Sequence, residues 1–167
     1  MFENNNQILQ ELILKGKYIK IFLFATKKIK NEYDANKYFY YIKQGDLIGT
    51  FCCLYWHKVD YKTIDKNSEV NNTGFLYACF YGHENIVKLF LEYFPDCVNY
   101  QNLIYRNGFI FACLALNTNV VKLLLEKKVD INCVDNMGRR GYDYLEDEEK
   151  AEIRKFIDDK KLYIDKP

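Results

Sequence analysis

Thr73-Gly74-Phe75-Leu76-Tyr77-Ala78-Cys79-Phe80-Tyr81-Gly82-His83-Glu84-Asn85-Ile86-Val87-Lys88-Leu89-Phe90-Leu91-Glu92 decides the fold, because it returns in altered form 34 positions later. The second version reads Asn107-Gly108-Phe109-Ile110-Phe111-Ala112-Cys113-Leu114-Ala115-Leu116-Asn117-Thr118-Asn119-Val120-Val121-Lys122-Leu123-Leu124-Leu125-Glu126. Gly, Phe, Ala, Cys, Val, Lys, Leu, Leu and Glu coincide, and a third unit opens near Arg140 at an offset of 33. Self-similarity at such a period marks a stack of short units.

One unit reads as follows. Phe75, Ala78 and Cys79 fall at i, i+3 and i+4, one face of a helix. Small Ala and Cys on that face let a neighbouring helix come close. Gly82 closes the helix, since a residue without Cβ takes the left-handed C-cap conformation cheaply. Ile86, Val87, Leu89, Phe90 and Leu91 build a second, more apolar helix. Asp96-Cys97-Val98-Asn99 is expected to leave as an extended loop. A helix, turn, helix, loop unit cannot cover its own apolar face, so it must stack on its neighbours.

These residues resemble ankyrin repeats. The family pattern runs T-P-L-H-x-A-A-x-x-G-H, then V-V-x-L-L-L-E, then G-A-D-V-N and a D-x-x-G turn. Thr73, Ala78, Gly82, His83, Ile86, Val87, Leu89, Leu91, Glu92, Asp96, Val98 and Asn99 match it in the first unit. Ala112, Val120, Val121, Leu123, Leu124, Leu125, Glu126, Asp130, Ile131, Asn132, Asp135 and Gly138 match it in the second. Gly74 and Gly108 replace the family's Pro, Leu76 and Ile110 replace its His, and one residue is inserted around Pro95-Asp96-Cys97. Losing Pro and His is expected to weaken the turn that opens the first helix. The resemblance implies an all-α solenoid of helix-turn-helix units with extended hairpin loops. It also implies a structural role for His83, holding the Gly-His turn by hydrogen bonding.

The ends depart from the pattern, as capping units do. Gly141-Tyr142-Asp143-Tyr144-Leu145 opens a last unit, with Ile153, Phe156 and Ile157 on its second helix. Upstream, Tyr41-Ile42-Lys43-Gln44-Gly45-Asp46-Leu47 and then Phe51-Cys52-Cys53-Leu54 resemble the passage from one helix to the next. A further helix pair is expected around Gly16. The expectation is one domain over 1–167: degenerate N-terminal units over 1–70, repeats over 71–106 and 107–138, and a C-terminal cap and tail over 139–167. Caps included, that makes about four to five units.

Composition narrows the function classes. The chain has 167 residues, net charge +1, 49% hydrophobic and 17% aromatic residues, eight Gly and two Pro. Disordered and collagen-like classes are excluded, and the near-neutral charge argues against a dedicated nucleic-acid binder. The run Lys17, Lys20, Lys27, Lys28 and Lys30, interleaved with Tyr18, Phe22 and Phe24, keeps nucleic acid or an acidic partner as an alternative. No secretory signal is read at Met1–Asn6, so an intracellular, cytoplasmic setting with six reduced cysteines is expected. No C-x-x-C pair or zinc-finger spacing occurs, the acidic group Asp143 and Glu146–Glu149 suits a helix N-terminus, and neither metal nor cofactor is expected. Cys52 or Cys53 with His57 is the local nucleophile and base pair of an enzyme alternative, yet nothing marks an orienting group or an oxyanion site.

Ankyrin stacks are binding platforms, so the resemblance implies a non-catalytic module for a protein partner. No small-molecule substrate or membrane is expected, and the chain is expected to be a monomer or weak homodimer. The loop after the first clear repeat, Asn102-Leu103-Ile104-Tyr105-Arg106, is apolar for an exposed turn, and Tyr and Arg are favoured at binding hot spots. The next loop offers Met137, Arg139 and Arg140, and the first helices present Phe80, Tyr81, Leu114 and Ala115 at places that line the family's concave face. The surplus of Lys, Asn, Tyr and Ile, all served by AT-rich codons, suits a viral or intracellular-pathogen effector that sequesters a host factor.

Overall fold

The computed structural model describes residues 35–56, 59–145 and 151–164. Its order is α1 (Ala35–Lys43), α2 (Leu47–Trp56), α3 (Gly74–Tyr81), α4 (Glu84–Tyr93), a 3-10 turn (Pro95–Asn99), α5 (Gly108–Leu114), α6 (Thr118–Glu126), a second 3-10 turn (Gly141–Tyr144) and α7 (Ala151–Ile164). Extended pairing among the described residues is confined to isolated bridges, Ile64 with Thr73 and Val134 with Arg140. The chain divides into two units, Met1–Asp60 and Tyr61–Pro167.

In the first unit, Tyr38, Phe39 and Ile42 are the buried face of α1, and Leu47, Phe51, Cys52 and Cys53 that of α2. Gly45 takes φ 72°, the left-handed conformation that ends α1. Asp46 then opens α2, its carboxylate accepting the Gly49 N–H at 2.9 Å. The join expected from Tyr41 to Leu54 is present.

In the second unit the first helices form one layer, with α5 between α3 and the Gly141–Tyr144 turn. The second helices form another, with α6 between α4 and α7. Val87, Phe90, Val120, Val121 and Leu124 are sealed between the layers, each contributing roughly 1.5–3 kcal/mol by burial. Lys122 reaches from α6 to α7, pairing with Glu152 at 3.6 Å and lying 5.2 Å over the Phe156 ring.

Gly108, which replaces the family's proline, and Gly141 at the same register of the last unit sit in the seam of the first-helix layer. A Cβ on Gly108 would stand 2.8 Å from the Phe75 ring and 2.9 Å from Cys79 Sγ. One on Gly141 would stand 2.7 Å from Phe109 and 3.2 Å from Cys113 Sγ. Each unit therefore lays a phenylalanine and a cysteine onto the bare backbone of the next. This explains why Cys79 and Cys113 recur: they are small seam residues.

Two local expectations change. Residues Pro95–Asn99 wind into a 3-10 turn instead of an extended loop, with Pro at the first turn and Cys97 buried, and this absorbs the inserted residue. The first helix of the last unit is only the short Gly141–Tyr144 turn. Asn117, the residue at the place of His83 one repeat later, holds its turn by hydrogen bonding. Its Nδ2 donates to the Cys79 and Phe80 carbonyls at 2.9 and 2.7 Å, closing the end of α3. His83 stacks on Tyr81, with ring centroids 6.0 Å apart.

Candidate functional site

The loops between units end in tight turns, each opened by a buried polar residue: Asp65, Asn102 and Asp135. One side-chain oxygen closes the residue's own turn by accepting backbone N–H groups, the usual behaviour of Asx residues. Asp65 Oδ1 takes Asn67 at 3.0 Å. Asn102 Oδ1 takes Ile104 and Arg106 at 3.1 and 3.0 Å, and Asp135 Oδ1 takes Met137 and Arg139 at 2.9 and 3.1 Å.

The second side-chain atom differs with its chemistry. Asp65 Oδ2 accepts the Tyr77 hydroxyl at 3.0 Å. Asp135 Oδ2 accepts the Tyr144 hydroxyl, together with Arg106 Nε at 3.2 Å and Nη2 at 3.1 Å. Asn102 instead donates from Nδ2 to Asn72 Oδ1 at 2.8 Å. Tyr77, Phe111 and Tyr144 occupy one register, three residues after Gly74, Gly108 and Gly141. A tyrosine stands where the turn opens with a carboxylate that needs a donor, and a phenylalanine where it opens with an amide that supplies its own.

Burial would raise the Asp135 carboxyl; hydrogen bonds from Tyr144, the Arg139 and Met137 N–H groups and Arg106 outweigh it and hold the pKa at about 2. The turns are also joined through the backbone. Leu103 N–H donates to the Val70 carbonyl and Asn136 N–H to the Ile104 carbonyl, both at 3.1 Å. Turns two and three thus form a continuous row.

Two large side chains, Tyr105 in the turn after the first clear repeat and Leu116 at the end of α5 in the second, adopt the left-handed conformation, at φ 60° and 59°. The third turn places Gly138 at φ 75° in the register of Tyr105, and α3 ends on Gly82 at φ 75° in the register of Leu116. A residue with a Cβ loses about 1–2 kcal/mol there. Both side chains project into solvent, Tyr105 at 59% and Leu116 at 41% exposure. Strain held at an exposed position is a feature that functional sites accumulate.

Of the residues singled out by sequence, Leu103, Tyr105 and Met137 are well exposed on the turn row, and Ile104 is half-buried beside them. Arg106 carries a packing duty, tied to Asp135 and to the Tyr144 hydroxyl at 2.9 Å. Arg140 pairs with Asp143 through Nε and Nη2, both at 3.2 Å. Arg139 lies 4.4 Å over the Tyr144 ring. On the first helices Phe80 is half-buried between Tyr81 and Phe111, at centroid distances of 5.3 and 5.9 Å, Tyr81 is exposed, and Leu114 and Ala115 are half-buried. The linked roles of Asn72, Asn102, Asp135, Tyr77 and Tyr144 escape sequence reading. The signal that finds them is the D-x-x-G turn at Asp135, moved back 33 positions onto Asn102.

Burial pushes the Cys52 thiol up to about 11 and Cys53 to about 12, each helped by Asp46, so both are protonated near neutral pH. His57, the Lys17–Lys30 run and Glu146–Glu149 lie outside the described residues. Among the described residues no group of His, Cys, Asp or Glu is placed to hold a metal ion, and no helix is long and apolar enough to cross a membrane.

A search of curated proteins returns no match. The family model for ankyrin repeats matches in three copies across residues 38–135, from the buried face of α1 to the third turn. Ankyrin repeats are generally protein–protein interaction modules and typically non-catalytic. With the matched span covering more than half of the chain, and its helix pairs and turns in the family's order, this protein belongs to the ankyrin-repeat family.

Proposed function

We propose that the chain is a non-catalytic docking platform that holds a protein partner on the row of turns two and three, with Phe80, Tyr81 and Leu114 on the first helices as a second contact area. The observation that carries this is Tyr105. A bulky residue stands in a left-handed position that the next turn fills with glycine, and its ring is 59% exposed. The same row of turns carries two other exposed apolar side chains, Leu103 at 62% and Met137 at 64%. Large apolar groups clustered on a pre-ordered loop row are the character of a binding patch. The row is held by its own hydrogen bonds, so little ordering cost falls on association. Arg106 and Arg140 shape the row, Arg139 faces the partner, and Ile104 packs beneath.

High thiol pKa values speak against the cysteine-dependent alternative. Binding without chemistry makes this a scaffolding or sequestering protein, and capture of a host factor by a viral or pathogen effector is one form of it.

A photo-crosslinking residue placed at position 105 tests the reading in the protein's native cells. The expected result is one covalent partner, lost when Leu103 and Met137 are both changed to Ser with the helical signal intact. The control position is Tyr93 on α4, also exposed. Equal capture from position 93, or capture indifferent to the two serines, would overturn the assignment.

A further inference from the structure

Resting on that reading of the turn row, we propose that its partner is an acidic, apolar peptide segment, one carboxylate of which pairs with the Arg139 guanidinium. Asn72, Arg106 and Arg139 occupy one register, immediately before Thr73, Asn107 and Arg140. In the first two cases the residue answers the side chain that opens the next turn. Asn72 takes the amide of Asn102, and Arg106 donates twice to the carboxylate of Asp135. Arg139 repeats the chemistry of Arg106 but has no following turn among the described residues.

Its surroundings are prepared for the missing acceptor. The Arg139 guanidinium rests on the Tyr144 ring, and among the described residues Nη2 meets only the Met137 sulfur, a weak acceptor. Nε is closed off from solvent and has no hydrogen-bond partner among the described residues. A shielded donor left without an acceptor is unfavourable, and a carboxylate arriving as Asp135 does on Arg106 satisfies it. The backbone repeats the pattern. The Val70 and Ile104 carbonyls each take an N–H from the residue after the next Asx. The carbonyl in the following register is that of Met137, and no described group donates to it. A ligand with an Asp followed by any residue offers both missing groups at once, while Tyr105 and Met137 receive its apolar side chains.

Charge favours a carboxylate over a nucleic-acid backbone. Arg106 and Arg140 are already neutralised by Asp135 and Asp143. A polyphosphate needs several cations in a row to release its counterions, whereas one carboxylate needs one guanidinium.

The test uses the full chain and a random heptapeptide library displayed on phage. Enriched peptides are synthesised as fluorescein conjugates, with each Asp or Glu also replaced by its amide. The expected peptides carry an acid beside aliphatic or aromatic residues and lose tenfold or more in affinity on amidation. Arg139→Gln gives a similar loss for the acidic peptide and little for its amide form, and Arg139→Lys restores part of the binding. Thermal melting confirms that both variants fold. Peptides that need Leu103 and Met137 yet show no acid preference would overturn the carboxylate assignment while leaving the turn row standing. Peptides indifferent to the Leu103→Ser, Met137→Ser pair would overturn the turn row itself. A library without enrichment, or displacement of the peptides by a 20-nucleotide single-stranded DNA more strongly than by free acidic peptide, would also overturn the proposal.

Discussion

The second and third turns solve one problem with opposite chemistries. Each must bury a polar side chain that closes a tight loop and binds the preceding unit. Turn two uses the neutral Asn102, linked to Asn72, with Phe111 alongside; turn three uses the ionised Asp135, linked to Arg106 and Tyr144. Turn two bends at a strained tyrosine, turn three at a glycine. The difference teaches that the unit of design is the linked set. Changing one member alone leaves a buried group without a counterpart, at a cost of about 1–3 kcal/mol and more when it is charged.

Exchange between the turns tests this most severely. Asp135→Asn keeps the turn-closing oxygen but points an amide at three donors, so a loss of about 2–3 kcal/mol is expected in urea unfolding. Adding Arg106→Asn and Tyr144→Phe recreates the neighbours of Asn102, and about 1–2 kcal/mol should return because the three sites are coupled. A triple variant no more stable than the single one would break the linked-set account.

Acid separates the turns without mutation. The Asp135 pKa is depressed from 3.8 to about 2 in the folded state. Its contribution is therefore complete above about pH 4 and is lost as pH falls towards 2. Turn two has no such group. Amide exchange should show residues 135–139 opening in that window while residues 102–106 stay protected, and simultaneous opening would contradict the assigned pairing.

The bends give the smallest effects. Gly138 has no neighbour within 4 Å of a notional Cβ, so Gly138→Ala isolates the backbone cost, about 1 kcal/mol of destabilisation. Tyr105→Gly should raise stability by about 0.5–1 kcal/mol, left-handed strain relieved less the added freedom of the unfolded chain. The same change should weaken partner binding. A stability gain with unaltered binding would remove Tyr105 from the docking surface.

The stacking was legible in sequence because it rests on local, periodic features. The Phe, Ala and Cys spacing gave the seam face, Gly82 the end of α3, and the Ile86–Leu91 run the second helix. The exposed turn residues Leu103, Tyr105 and Met137 were legible too, being apolar where nothing in a repeat needs them. What escaped was contact between units. That Arg106 serves Asp135, and Asn117 the end of α3, depends on side chains meeting across 29 and 38 positions. No single unit displays such a pairing. The 3-10 turn at Pro95 was missed because an insertion shifts the register there.

The glycine at each joint also bears on how such a chain can lengthen. A duplicated segment 108–140 would bring its own Gly108 to meet the joint before it, and its own Phe109 and Cys113 to cover the copy that follows. Its third turn would open on a second Asp135, offered to the first copy's Arg139 as Asp135 is now offered to Arg106. The glycine seam is written into every cassette but the polar set is not: the first copy's Asp135 would meet the second copy's Phe111 in place of Tyr144, so growth by tandem copying calls for a refitted tyrosine at the new join.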